Sequence, residues 1–201
     1  MYYDLAMAEV KVLLKGYLMK DSPSLKGSCS TISLVRGKDL DGNEMVMVVD
    51  PGTTVSQDLI IEALKKEGLN VDDVTHVGIT HGHMDHYRNI SMFKNAINVD
   101  HDGIWRKDEC EYSSTEEIVK ISDDVSTMKT PGHTADSITF LVQTDRGVVA
   151  VCGDVFWLKD YPLRPEDDEF GSYATELRES REKVLKMADY IIPGHGEEYE
   201  V

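Results

Sequence analysis

Apolar and polar positions alternate along this chain in short runs, and the runs predict many strands with two longer helices among them. Residues 8–19 mix β-branched and charged positions and read as an early strand, broken by Asp21-Ser22-Pro23-Ser24. Residues 30–35 alternate as a second strand, and Gly37-Lys38-Asp39-Leu40-Asp41-Gly42-Asn43 carries hairpin-turn chemistry. Residues 44–49 are almost continuously apolar, the pattern of a strand buried on both faces. Asp50-Pro51-Gly52-Thr53 ends that strand. Ser56 then suits the N-cap of a helix through Lys66, with Leu59, Ile60, Ala63 and Leu64 on one face. A β-branched strand follows over 74–79.

In the second half, residues 89–93 read as a short helix and 96–99 as a strand. Residues 105–117 are polar and acidic, a surface excursion to which the pattern assigns no shape. Strands are expected over 125–129, 137–142 and 148–152, and Arg146-Gly147 makes the turn into the last of these. Residues 175–187 show helical spacing in Leu177, Val184, Leu185 and Met187. Ile191-Ile192 is a last short strand. Strand, helix and strand succeed one another without a repeat, linker or low-complexity tract. The expectation is one α/β domain spanning 1–201.

The strand over 74–79 runs straight into Thr80-His81-Gly82-His83-Met84-Asp85-His86. Four metal-ligating side chains within six positions are dense for a polar loop that is merely rich in histidine. A loop there can aim His81 and His83 at one ion and Asp85 and His86 at a second. Imidazole suits Zn, Fe, Co or Mn, and a carboxylate adds hard-ligand character. Three later turns add one ligand type each: His133 in Thr130-Pro131-Gly132-His133-Thr134, Asp154 after Gly153, and His195 in Pro193-Gly194-His195-Gly196. The neighbouring glycines let the backbone bend there. Alone, each would be only a turn. Asp50, at a strand end, can orient a ligating histidine or simply make a turn before Pro51. His76, inside a strand pattern, reads as packed; His101 reads as a turn residue, with general acid as its functional alternative.

Charge and cysteine usage narrow the field. Lys plus Arg is 21 and Asp plus Glu is 37, a formal net charge of −16, which opposes long-range attraction to nucleic acid or an anionic membrane. Cys29, Cys110 and Cys152 form no Cys-x-x-Cys pair, and Cys152 sits in an apolar run as core filling. Reduced thiols, the absence of a signal-peptide core in the first twenty residues and the lack of a long apolar span place the protein in the cytoplasm as an expectation.

Taken together, His81, His83, Asp85, His86, His133, Asp154 and His195 resemble the complete signature of the metallo-β-lactamase superfamily, over a stretch from about Asp50 to His195. The resemblance implies a four-layered αβ/βα sandwich with metals at one edge. On matching positions it implies that His81, His83 and His133 hold one ion, that Asp85, His86 and His195 hold another, and that Asp154 bridges them. The ions expected are two divalent metals, Zn first, with Fe or Mn as alternatives. Zinc β-lactamases of one branch carry Cys where this chain has Asp154, and they are secreted. The flavodiiron branch replaces the second histidine by Glu. The helical domain of glyoxalase II and the inserted domain of the RNA-processing endonucleases do not match this sequence either. Asn89, Phe93, Asp100-His101-Asp102, Gly153-Asp154-Val155-Phe156 and Ser180-Arg181 extend the resemblance to a small animal branch associated with a nuclease role.

A water held between two divalent ions loses its proton near neutral pH, since metals lower its pKa to about 7. The expected activity is therefore a binuclear hydrolase whose metal-bridging hydroxide attacks a small ester, thioester or lactone, with Asp85 and Asp154 as the catalytic carboxylates. The alternatives are a metal-dependent phosphodiesterase or nuclease, and a persulfide dioxygenase holding a single iron. Trp157, Tyr161 and Phe170 follow Asp154 in a Pro-rich acidic segment that reads either as a substrate lid or as an anchored surface loop.

Overall fold

Two β-sheets face each other across a shared core, and each carries helices on its outer face. This computed structural model describes residues 7–18, 27–112, 116–159, 164–168, 171 and 173–201. The first half supplies β1 (Glu9–Leu14), β2 (Tyr17–Leu18), β3 (Ser28–Cys29), β4 (Ile32–Lys38), β5 (Glu44–Val49) and α1 (Asp58–Lys66). It continues with β6 (His76–Gly78), α2 (Met84–Tyr87), β7 (Ile97–Val99), β8 (Gly103–Arg106) and β9 (Glu109–Tyr112). The second half supplies β10 (Ile118–Lys120), β11 (Val125–Lys129), β12 (Ile138–Thr144) and β13 (Gly147–Val151). It ends with α3 (Ala174–Met187), β14 (Tyr190–Ile192) and β15 (Tyr199–Glu200). One sheet has the order β1-β4-β5-β6-β7-β8-β9, the other β10-β11-β12-β13-β14-β15, and β2 with β3 forms a small ribbon.

The layering follows from side-chain alternation. Along β5, Met45, Met47 and Val49 point into the inter-sheet core beside Phe140, Val142 and Val151. Val46 and Val48 turn the other way, onto Ile60 and Leu64 of α1. Both faces of β5 are therefore covered, which explains its continuous apolar run. Behind the second sheet, Leu141, Ala150 and Ile191 meet Leu177 and Val184 of α3. Helix, sheet, sheet, helix is the αβ/βα sandwich that the family resemblance implies. No helix among the described residues is long and apolar enough to cross a membrane.

Several elements differ from the sequence reading. The early strand is split into β1 and β2. The polar stretch after Asp102 is not shapeless but holds the hairpin β8–β9, turned through Lys107 at a φ of 64°. Ser56 lies one residue before the N-cap Gln57, and its hydroxyl accepts the Asp58 N–H at 3.1 Å. On α3, Leu185 and Met187 face outward, and the buried face is instead Leu177, Ser180, Arg181 and Val184. The break at 21–24, Tyr161 and Phe170 lie outside the described residues.

Phe140 sits at the middle of the core, fully buried, against the bare backbone of Gly78: a Cβ there would lie 2.5 Å from the ring. Phe140→Ala is expected to cost about 3–5 kcal/mol, because the rigid strands on both sides cannot close the void. A denaturant melt showing a loss below about 1 kcal/mol would mean that the sheets do collapse onto the vacated space.

Candidate metal centre

Every predicted ligand lies at one edge of the sandwich, in the loops that leave the strands. Thr80 and His81 follow β6, His133 stands between β11 and β12, Asp154 follows β13, and His195 follows β14. The single helical turn α2 begins inside the histidine motif and carries Asp85 and His86. Two groups result. His81, His83, His133 and Asp154 gather in one; Asp85, His86 and His195 gather in the other.

Asp154 joins the two groups through its two oxygens. Its Oδ2 is 3.3 Å from His133 Nε2 and 4.0 Å from His81 Nε2. Its Oδ1 is 3.3 Å from both His86 Nε2 and His195 Nε2. His195 Nε2 is in turn 3.7 Å from Asp85 Oδ2. Two glycines make this possible. Gly153 adopts a φ of 50°, and a Cβ on Gly194 would stand 1.8 Å from Asp154 Oδ1.

The outward-facing ring nitrogens show which way each imidazole is set. His86 Nδ1 lies 2.7 Å from Asp50 Oδ2, and His195 Nδ1 lies 3.0 Å from the Cys29 carbonyl. His133 Nδ1 lies 2.9 Å from Asp168 Oδ2. His81 Nδ1 is 3.1 Å from Thr80 Oγ1, whose own proton goes to Asp50 at 2.7 Å. Each of these Nδ1 atoms thus faces an oxygen, and each Nε2 is turned inward, where a metal would take its lone pair. His83 presents Nδ1 instead, 3.0 Å from His81 Nε2 and 2.9 Å from His133 Nε2. A proton on one of these nitrogens or a cation among them holds them at that spacing, and a tetrahedral zinc with bonds of about 2.0–2.1 Å needs ligands roughly 3.3 Å apart. His86 Nε2 and Asp154 Oδ1 are also buried with no hydrogen-bond partner among the described residues. The cluster fits divalent metal binding.

Electrostatics point the same way. Burial opposes a charge on His86, but the Asp154 and Asp50 carboxylates outweigh it and lift its pKa well above the ordinary 6.5. Burial would raise the Asp154 pKa, yet His195 and His86 outweigh it and hold the carboxyl well below 3.8. His81 and His83 go down, chiefly because burial disfavours their charged forms. The two carboxylates thus favour a proton on His86 in the metal-free protein, and a metal bound at that ring would compete with it. Apparent metal affinity is expected to fall by up to about tenfold per pH unit as pH drops below that raised value. Calorimetric titration in buffers of different ionisation enthalpy reads the released proton; an affinity constant between about pH 6 and 8 would contradict it.

The other candidates separate. Asp50 orients His86, as its strand-end position allows, and also accepts the Thr80 N–H at 2.8 Å. Asp168 performs the same service for His133, and no signal in its acidic segment singled it out. His76 is packed in β6 with its Nδ1 2.9 Å from Thr75 Oγ1. His101 stands beyond His81 in a separate recess of about 240 Å³ with Gly82 and Asp136, outside the ligand cleft. Trp157 is 1% exposed and forms part of the cleft wall, while Tyr161 and Phe170 of the same segment lie outside the described residues. The cleft is about 250 Å³, and Leu18, Ser28, Met84 and Trp157 line it alongside five of the ligands.

The sequence profile of the metallo-beta-lactamase superfamily matches residues 30–110. Metallo-beta-lactamase domain-containing protein 1 of Xenopus laevis is 33% identical, over 96% of this chain and 81% of that protein. A hydroxyacylglutathione hydrolase of Rhodopseudomonas palustris is 29% identical, over 67% of this chain and 62% of its own length. The crystal structure of a Thermotoga maritima protein assigned to the metallo-beta-lactamases superimposes with a TM-score of 0.71 at 22% identity, covering 97% of this chain and all (100%) of that one. With a relative this similar along nearly its whole length, and with the sandwich and the ligand-bearing loops in place, the chain belongs to the metallo-β-lactamase superfamily.

Proposed function

We propose that the chain is a binuclear metal-dependent hydrolase of a small ester, thioester or lactone. The observation that carries it is the Asp154 carboxylate, which reaches one ligand group with each oxygen. His81, His83 and His133 would hold one ion, Asp85, His86 and His195 the other, and Asp154 both. Zinc is the ion of first choice, and iron and manganese suit the same mixed shell. When bound, the ions supply an acidified water and a positive charge for the substrate's polarised oxygen.

The chain's own side chains do the rest. Asp154, held ionised, accepts a hydrogen bond from the attacking water. Asp85, the more exposed carboxylate, can take the proton at the cleft side. Leu18, Met84 and Trp157 offer an apolar wall to an acyl group and exclude water from it. No Lys or Arg lines the cleft among the described residues, so a phosphodiester's charge meets no side-chain cation there. That favours an uncharged acyl centre over RNA or DNA, in keeping with the net charge of −16 and with a relative named as a hydroxyacylglutathione hydrolase. A small-molecule substrate met in the cytoplasm belongs to the same reading.

The test is a panel of thioesters, lactones, aryl esters and p-nitrophenyl diesters offered to zinc- and manganese-loaded protein. Turnover of the acyl substrates with two ions per chain is expected. Turnover confined to diesters or RNA would replace this reading with a phosphodiesterase, and one iron per chain with oxygen uptake would replace it with a dioxygenase.

A further inference from the structure

Two of the four buried positions on α3 are polar, Ser180 and Arg181. An apolar pair would pack against the sheet without the desolvation cost of a guanidinium. Ser180 Oγ donates to the Pro131 carbonyl at 2.7 Å, two residues before His133. Arg181 is 7% exposed; its Nε donates to the Val155 carbonyl at 2.8 Å, the residue after Asp154, and its guanidinium lies 5.2 Å from the Phe156 ring centre. The carbonyls of Phe156 and Trp157 in turn accept the N–H groups of Gly194 and His195, each at 2.8 Å. The turn that carries Asp154 spans only Gly153–Val155 and has no side-chain cap of its own. One turn of α3 therefore reaches the backbone beside His133 and Asp154 directly, and the loop of His195 at one remove through residues 156–157.

We propose that Arg181 is a positioning residue: it pins the Asp154 turn so that the carboxylate stands between both ion sites, and through residues 156–157 it sets His195. The inference rests on the two-ion reading above. Charge-assisted donation to a carbonyl is stronger than a neutral bond, and the planar guanidinium fixes direction as well as distance. Arg181 does not line the cleft itself.

The experiment titrates cobalt(II) into metal-free wild type, Arg181→Met, Arg181→Lys and Val184→Ala, following the visible spectrum and the heat, with the metal-free melting temperature recorded for each. Val184 is buried on the same helix but bonds to neither loop. Arg181→Met is expected to weaken at least one cobalt by about 10–100-fold and to alter the spectrum, the range seen when a ligand's supporting partner is lost. Arg181→Lys should fall between it and wild type. Val184→Ala should lower the melting temperature with wild-type affinities and spectrum. Wild-type cobalt behaviour in Arg181→Met, or an equal disturbance in Val184→Ala, would overturn the proposal. Should Arg181→Met not fold, wild-type behaviour in Arg181→Lys would overturn it as well. A wild type that fails to take two ions defeats the two-ion reading itself, a distinct result.

Discussion

Asp154→Asn is expected to cut hydrolytic turnover by about a thousandfold and to leave the protein with one tightly held ion or none. The carboxylate reaches both ligand sets, at 3.3 Å from His133 on one side and from His86 and His195 on the other. An amide keeps the shape but loses the charge, and it turns an N–H₂ toward one set of lone pairs. The metal-free protein should suffer too. A carboxyl whose folded pKa is depressed adds stability above its ordinary 3.8, and loses it only as pH falls through the depressed value. At neutral pH the variant forgoes that contribution. Elemental analysis and steady-state kinetics decide the matter; two retained ions with wild-type turnover would remove Asp154 from the centre of the mechanism.

The second large effect belongs to a residue that should never touch an ion. Asp50 takes the Thr80 N–H at 2.8 Å, the Thr80 hydroxyl at 2.7 Å and His86 Nδ1 at 2.7 Å. Asp50→Asn replaces one acceptor oxygen by a donor, so either Thr80 or His86 faces a donor with its own proton. The backbone there has a φ of 52°, which asparagine tolerates, so the change isolates side-chain chemistry. Loss of such an orienting partner is worth about 10–100-fold in metal affinity. One buried donor left unmet costs about 1–3 kcal/mol of stability besides. Metal affinity equal to wild type, measured by competition with a chromophoric chelator, would show that His86 is held by its packing alone.

How far the sequence revealed this arrangement depends on how local each signal is. The motif at 80–86 and the turns at His133, Asp154 and His195 announce themselves because type, spacing and neighbouring glycines coincide within a few residues. Asp50 carried half a signal, its place at the end of an apolar strand. Asp168 carried none: it is one of several acidic residues in its segment, and only the folded chain brings it to His133. The fold behaves the same way. β5 is legible because both of its faces are buried, whereas β8 and β9 are a solvent-facing edge hairpin whose polar composition imitates a loop. In the sequence Arg181 stands out only as part of a family likeness, and its use appears once α3 is seen against the loops.

Four separate strand ends contribute to a cluster that runs from His81 to His195, and no disulfide ties those ends together. Bound ions would therefore act as a removable staple between the two halves of the sandwich, adding RT ln(1 + [L]/Kd) to its stability, about 4 kcal/mol at a thousandfold excess over Kd. Chelation should open the rim to proteolysis at lower temperature while the inter-sheet core stays closed. Metal supply would then govern how long the molecule survives as well as how fast it works.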